Sequence, residues 1–263
     1  MNGTHHIMAT ENLSIGYPKK GGGKIVASDI NITLEKGKVT ALIGANGAGK
    51  STLLKTLTGI LPAIKGHIKL DEMPLYNYSP QELAQQLSVV LTEKLPPGNL
   101  TVYELVALGR QPYTNWLGKL TQADKDQVEI ALSLTQTARL THRKYYEISD
   151  GQLQKVLIAR ALAQDTPLVI LDEPTTHLDL LHKVNVLQLL KKLAHEQDKC
   201  ILYSTHDLDL ALEICDSLII LSQGIAQQGT PNELIEKNAF SALFEGENIQ
   251  FDPLTRRFIF KST

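Results

Sequence analysis

The stretch Gly44-Ala45-Asn46-Gly47-Ala48-Gly49-Lys50-Ser51, with Thr52 behind it, decides how the rest of this chain is read. A glycine, four further residues, then Gly-Lys-Ser is a spacing with a physical purpose. The glycines let successive backbone N–H groups turn inward around an anion, and a helix starting at the end of the loop presents its positive end to the same point. Lys50 in such a loop reaches the outer phosphates of a nucleoside triphosphate, and the Ser51 hydroxyl is placed for Mg²⁺. The flanks agree. Val39 to Ile43 is a short apolar run of strand type, and Leu53, Leu54, Leu57 and Ile60 follow at helical spacing. The loop therefore predicts binding of ATP or GTP on a strand–turn–helix unit.

Working outward, three further segments have a place beside a bound triphosphate. Leu168-Val169-Ile170-Leu171-Asp172-Glu173 is a buried-strand pattern ending in two carboxylates. Asp172 can reach the Mg²⁺ shell, because strand ends of one parallel sheet lie side by side. Glu173 suits a second task, polarising the water that attacks the γ-phosphate. Ile148-Ser149-Asp150-Gly151-Gln152 opens a helix. By themselves its hydroxyl and free N–H groups read first as an ordinary N-cap, but in a chain that already has a phosphate loop they also offer an anion site. His206, just past the apolar run Ile201 to Ser204, can hydrogen-bond a γ-phosphate and register its loss. A lone histidine is more often a satisfied structural residue.

The organisation is one α/β domain over residues 8–263. Leu13, Ile15 and Tyr17, then Ile30, Ile32 and Leu34, alternate as strands on either side of a Gly21-Gly22-Gly23 turn. The middle, about 79–165, is a helical insert punctuated by capping boxes at Ser79–Glu82, Thr101–Glu104 and Thr121–Asp124. A brief strand, Ser88 to Leu91, and the loop Pro96-Pro97-Gly98 interrupt it. Apolar residues occupy nearly every side of the helix from Gln152 to Ala163, which predicts burial all round. Leu168–Leu171, Ile201–Ser204 and Leu218–Leu221 alternate with helical stretches, the rhythm of parallel strands covered by helices. About 230–263 reads as a capped helix and a hairpin.

Composition narrows the function classes. The 263 residues are 43% hydrophobic and 21% charged with a formal net charge of −2, the balance of a water-soluble globular chain with no general attraction to nucleic acid. Cys200 and Cys215 are too far apart, and too apolar in setting, for a redox or metal pair, so both are expected as buried thiols. No apolar run approaches the roughly 20 residues that cross a bilayer. Met1 to Thr10 lacks the basic flank and apolar stretch of a signal peptide, and His5-His6 is assigned no role.

In this order the segments resemble the ATP-binding-cassette (ABC) family, over nearly the whole chain from Leu13 to about Leu243. The resemblance implies a P-loop NTPase core with its parallel sheet flanked by helices, an antiparallel β subdomain and the helical insert. It places Lys50 and Ser51 in Walker A, Asp172 in Walker B and Glu173 as catalytic carboxylate. Ser149, Gly151 and Gln152 fall on the signature, Thr176-His177-Leu178-Asp179 on the D-loop and His206 on the switch histidine. Tyr17 lies where the family stacks an aromatic on adenine, although strand position alone would explain it. Two such chains would pair head to tail, the signature of one closing over the ATP of the other. Two departures stand out. Asp150 replaces a glycine, and Thr92-Glu93 occupy the place of the Q-loop glutamine, where either can hold a metal-bound water through oxygen.

Leu100 to Tyr113, followed by Trp116 and a helix from Thr121, is similar to importers of iron-siderophore, haem and cobalamin type. That likeness implies polytopic permease partners, a substrate-binding protein delivering cargo, no nucleic acid, and work at the cytoplasmic face of a bacterial membrane. Tyr113 and Trp116 read equally as packing residues. The alternative is a non-transport ABC ATPase of translation or repair type. One P-loop, no heptad insertion and no zinc site stand against it.

Overall fold

The computed structural model describes residues 6–18, 23–91, 95, 98–243, 249–253 and 255–260. The Gly21-Gly22 half of the expected turn, the Pro96-Pro97 pair and the Thr92-Glu93 pair lie outside them. The chain opens with β1 (His6–Tyr17), β2 (Lys24–Ile30), β3 (Thr33–Glu35) and β4 (Val39–Ile43), then α1 (Lys50–Leu57), β5 (Lys65–Leu70) and β6 (Met73–Pro74). β1 pairs antiparallel with β2, β3 and β5, and β6 extends the sheet from β5. The alternation Ile30, Ile32, Leu34 is thus shared between two strands, yet all three side chains are buried.

Next come α2 (Pro80–Gln86), β7 (Leu87–Val90), α3 (Val102–Ala107), α4 (Gln122–Leu134) and α5 (Asp150–Ala163). They are followed by β8 (Leu168–Leu171), α6 (Leu180–Gln197), β9 (Cys200–Thr205), α7 (Leu208–Ile214), β10 (Ser217–Ser222), β11 (Ile225–Gly229) and α8 (Pro231–Glu236). The hairpin β12 (Ile249–Asp252) and β13 (Arg257–Phe260) completes the described chain. The three capping boxes read in the sequence are formed, each with reciprocal bonds. α1 ends at Leu57, so Ile60 falls beyond it, half exposed after the turn at Gly59.

The second sheet has the order β11-β10-β4-β9-β8-β7, parallel throughout except for the antiparallel edge β11. The central strands β4, β8 and β9 are buried along their whole length because both faces are covered. Side chains alternate between two cores. Val39, Ala41, Ile43, Val169, Leu171, Ile201, Tyr203, Leu218 and Ile220 face the helical insert and α6. Leu42, Leu168, Ile170, Leu202, Ile219 and Leu221 face α1 and the antiparallel sheet. No residue of α5 from Gly151 to Ala163 is exposed, as its all-round apolar pattern predicted. Cys200 and Cys215 are free and buried, and burial pushes both thiols up to about 12.

Candidate nucleotide site

Parallel register builds the site. Ile43 at the end of β4 is paired with Thr205 of β9, and Leu171 of β8 with Tyr203 of β9. The residues that follow these strands therefore emerge at one edge: Gly44 beyond β4, His206 beyond β9, Asp172 and Glu173 beyond β8. Ligands of open parallel sheets sit outside such carboxyl ends.

The loop after β4 is formed by close approach. A Cβ at Gly44 would lie 2.4 Å from the carbonyl oxygen of Leu221, a backbone atom that cannot give way. Gly49, with φ of 107°, sits in the left-handed region that disfavours other residues, and a Cβ there would also meet the Val26 side chain. The Lys50 ammonium is buried and donates to the carbonyls of Gly44 and Ala45 at 2.9 and 3.3 Å. Burial lowers its pKa, while the charges of Glu173 and Asp172 act in the opposite direction. Ser51 lies exposed in the first turn of α1. Tyr17, half exposed, is tethered above that turn by a bond of 3.2 Å between its hydroxyl and that of Thr52.

His206 joins the two halves of the cluster. Its Nδ1 lies 3.4 Å from Lys50 Nζ and its Nε2 is in hydrogen-bond contact with Glu173 Oε1. The neutral tautomer protonated at Nε2 satisfies both contacts, accepting from the ammonium and donating to the carboxylate. Glu173 has a φ of 49°, a costly conformation for a long side chain. Two bonds hold it there: Ser204 Oγ accepts from its N–H at 2.9 Å, and Thr176 Oγ1 donates to its Oε2 at 3.0 Å. The Ser204 hydroxyl also donates to Asp172 Oδ1 at 2.6 Å, fixing the buried carboxylate. The sequence reading did not single out Ser204. Its signal was present, a hydroxyl inside the apolar run of β9 that is wholly buried in the fold.

Ser149, Gly151 and Gln152 stand elsewhere. They line a cleft of about 400 Å³ with Arg139, Lys155 and His182, apart from the Lys50 cluster. Ser149 caps α5 through a reciprocal box with Gln152. Asp179 caps α6 and bonds the ring of His182, and these bonds to His182 lower its carboxyl pKa. Asp150, the departure at the signature, lines a different cleft of about 480 Å³ with Leu153, Gln154, Asp172, Glu173 and His177.

The donors fit the groups expected here. Two glycines whose Cβ atoms would collide, a buried lysine and a helix start suit a triphosphate. Among the described residues no group of three or more His, Cys, Asp or Glu could hold a metal ion by itself. Ser51 and Asp172 instead offer oxygen only, as suits Mg²⁺ that takes its remaining ligands from phosphate and water.

A family model described as "ABC transporter" matches residues 27–176, from the second strand through both nucleotide carboxylates. The chain belongs to the ABC transporter family. This ABC protein is 38% identical to the iron(3+)-hydroxamate import ATP-binding protein FhuC of Bacillus subtilis, over 95% of this chain and 92% of that one. It superposes on a metal-chelate type ABC transporter in an inward-facing conformation with a TM-score of 0.79 and 30% identity, covering 91% and 89% of the two chains. It also superposes on the cassette MJ0796, solved as a dimer with ADP and phosphate, at a TM-score of 0.72 and 25% identity, covering 85% and 98%. The chain is accordingly an ATP-binding ABC ATPase. Among the described residues no helix is long and apolar enough to cross a membrane.

Proposed function

We propose that this ABC ATPase, as a single nucleotide-binding domain over residues 8–263, powers import of iron-siderophore, haem or cobalamin type cargo. It works as two copies paired head to tail under a polytopic permease at the cytoplasmic face of a bacterial membrane, with a substrate-binding protein delivering the cargo. One observation carries the hydrolytic part: a single chain joins Lys50, His206 and Glu173, while Ser149, Gly151 and Gln152 occupy a separate cleft. That second, anion-ready surface has work to do only when another copy brings a nucleotide to it.

The residue roles follow from their chemistry. The loop Gly44, Asn46, Gly47, Ala48 and Gly49 offers backbone N–H groups to the phosphates, and Lys50 adds a buried charge. Ser51 and Asp172 would hold Mg²⁺, which when bound would neutralise charge on the phosphates. Tyr17 and Thr52 border the nucleoside end. Glu173 accepts a proton from, or aligns, the attacking water, and the carboxylate is already oriented by Thr176 and His206. When nucleotide enters, His206 donates to the γ-phosphate through a protonated ring nitrogen. Ser149, Gly151, Gln152 and Asp179 close over the nucleotide of the other copy. Trp116 is 91% exposed and so suits a permease contact. The chelated-metal cargo class rests on the similarity to FhuC and to the metal-chelate transporter.

Affinity capture of this chain from its own membranes, with mass spectrometry of what accompanies it, tests the assignment. A polytopic permease is the expected partner, and ribosomes or DNA repair proteins in its place would overturn it.

A further inference from the structure

Asp207, beside the switch histidine, departs from ordinary helix-capping behaviour. It occupies the N-cap of α7, where an aspartate normally accepts from the N–H groups of the first turn, yet it makes no side-chain cap bond. Both of its carboxylate oxygens are given to Lys183 Nζ instead, at 3.1 and 3.0 Å. Its own N–H is donated to Thr205 Oγ1 at 3.0 Å, so side chain and main chain are both tied down one residue from His206.

Lys183 belongs to the first turn of α6, the helix that Asp179 caps. Leu180 and Leu181 of that turn project outward, while its other side chains grip two neighbours. A Cβ on Gly151 would lie 2.8 Å from the ring of His182, so this turn meets the start of α5 on one side and the His206 loop on the other. An ion pair this accessible contributes little to global stability. What it can fix is the angle at which His206 leaves β9.

We propose that Lys183 is a positioning residue for hydrolysis, holding His206 toward Lys50 and Glu173 by clamping Asp207 to the first turn of α6. The inference rests on the reading of His206 as part of the hydrolytic site. Through that turn, the placement of the switch histidine is tied to the signature segment of the same chain.

The test uses the purified full chain, with steady-state ATPase and equilibrium binding of a non-hydrolysable ATP analogue. Lys183→Met should lower kcat about tenfold while KM and analogue affinity stay within about twofold, the pattern of an interaction felt in the transition state. Lys183→Arg should restore most of the rate. Asp207→Asn should match Lys183→Met, and the double variant should be no worse than either, because both remove one shared contact. Unchanged kcat in Lys183→Met, multiplying losses in the double variant, or analogue affinity falling in step with kcat would each overturn the proposal. Lys183→Gln, uncharged but of similar character, takes the place of Lys183→Met if that variant does not fold, with the same expectations. His206→Ala separates the two levels. If His206→Ala retains full turnover, the site reading itself fails; if it is slow while Lys183→Met is normal, only the positioning role falls.

Discussion

At the scale of single residues, Glu173 carries the sharpest prediction. Its strained backbone and two side-chain contacts hold a carboxylate where a base is needed. Glu173→Gln keeps the shape and hydrogen-bonding reach but loses basicity. Turnover should fall by about 10² to 10⁴, the usual share of general base catalysis, while ATP binding persists. Phosphate release and equilibrium nucleotide binding measure the two quantities separately, and normal turnover would remove Glu173 from the role. The residues proposed to touch nucleotide stand out in the sequence because chemistry restricts them tightly: the loop needs Gly-Lys followed by a hydroxyl residue, and Asp-Glu after four apolar residues marks a strand end. The contacts that hold these in place were not legible. Ser204 orients Asp172 across a strand pairing, and pairing partners separated by 32 positions leave no local trace. Lys183 and Asp207, on different helices, were hidden for the same reason.

At the scale of elements, helix starts share one device with an acid-sensitive consequence. Glu82, Glu104, Asp124 and Glu233 close capping boxes, and the bonds they receive there lower each carboxyl pKa. A depressed carboxylate contributes stability that is complete above its unfolded value and lost as pH falls through its folded value. The melting midpoint should therefore drop steeply once pH falls below about 4. The combined variant Glu82→Gln, Glu104→Gln, Glu233→Gln keeps the boxes without titrating, so its midpoint should fall less over that window. α5 already uses Gln152 for this purpose, and its cap is indifferent to acid. A second prediction concerns the tie that Arg110 makes between α4 and α5 within the insert. Arg110 bonds Asp124 at 3.0 Å and the Ala163 carbonyl at 2.7 Å, and its guanidinium lies 4.0 Å from the centre of the Tyr113 ring. Both charges are buried. Arg110→Met strands the Asp124 charge and should cost about 3 kcal/mol in denaturant unfolding. A loss under ~1 kcal/mol, the level of a surface pair, would show that the insert is held by its apolar contacts alone. Elements themselves were readable from caps and periodicity. The pairing order was not, since five adjacent parallel strands come from distant parts of the chain and only the fold specifies which lie side by side.

At the scale of the whole molecule, the two anion-ready surfaces of one chain predict association that depends on nucleotide. Glu173→Gln, which should trap ATP, is expected to double its mass in light scattering when ATP is added, and to return to monomer when ATP is removed. A monomer at saturating ATP would contradict head-to-tail pairing. The arrangement of the sheet has a further consequence for how such a machine can change over time. Lys50, His206 and Glu173 depend on a ladder whose errors come only in whole-residue steps, because a strand that slips by one position swaps the side chains facing its two cores. The chemical end of the molecule is therefore buffered against gradual drift: a small distortion is returned to register, and a large one is lost with the fold. The insert between β7 and β8 attaches at the far side of this ladder and carries no strand of it. Its loops can lengthen, shorten or alter their surface to suit a new partner while the spacing between ammonium, imidazole and carboxylate stays the same.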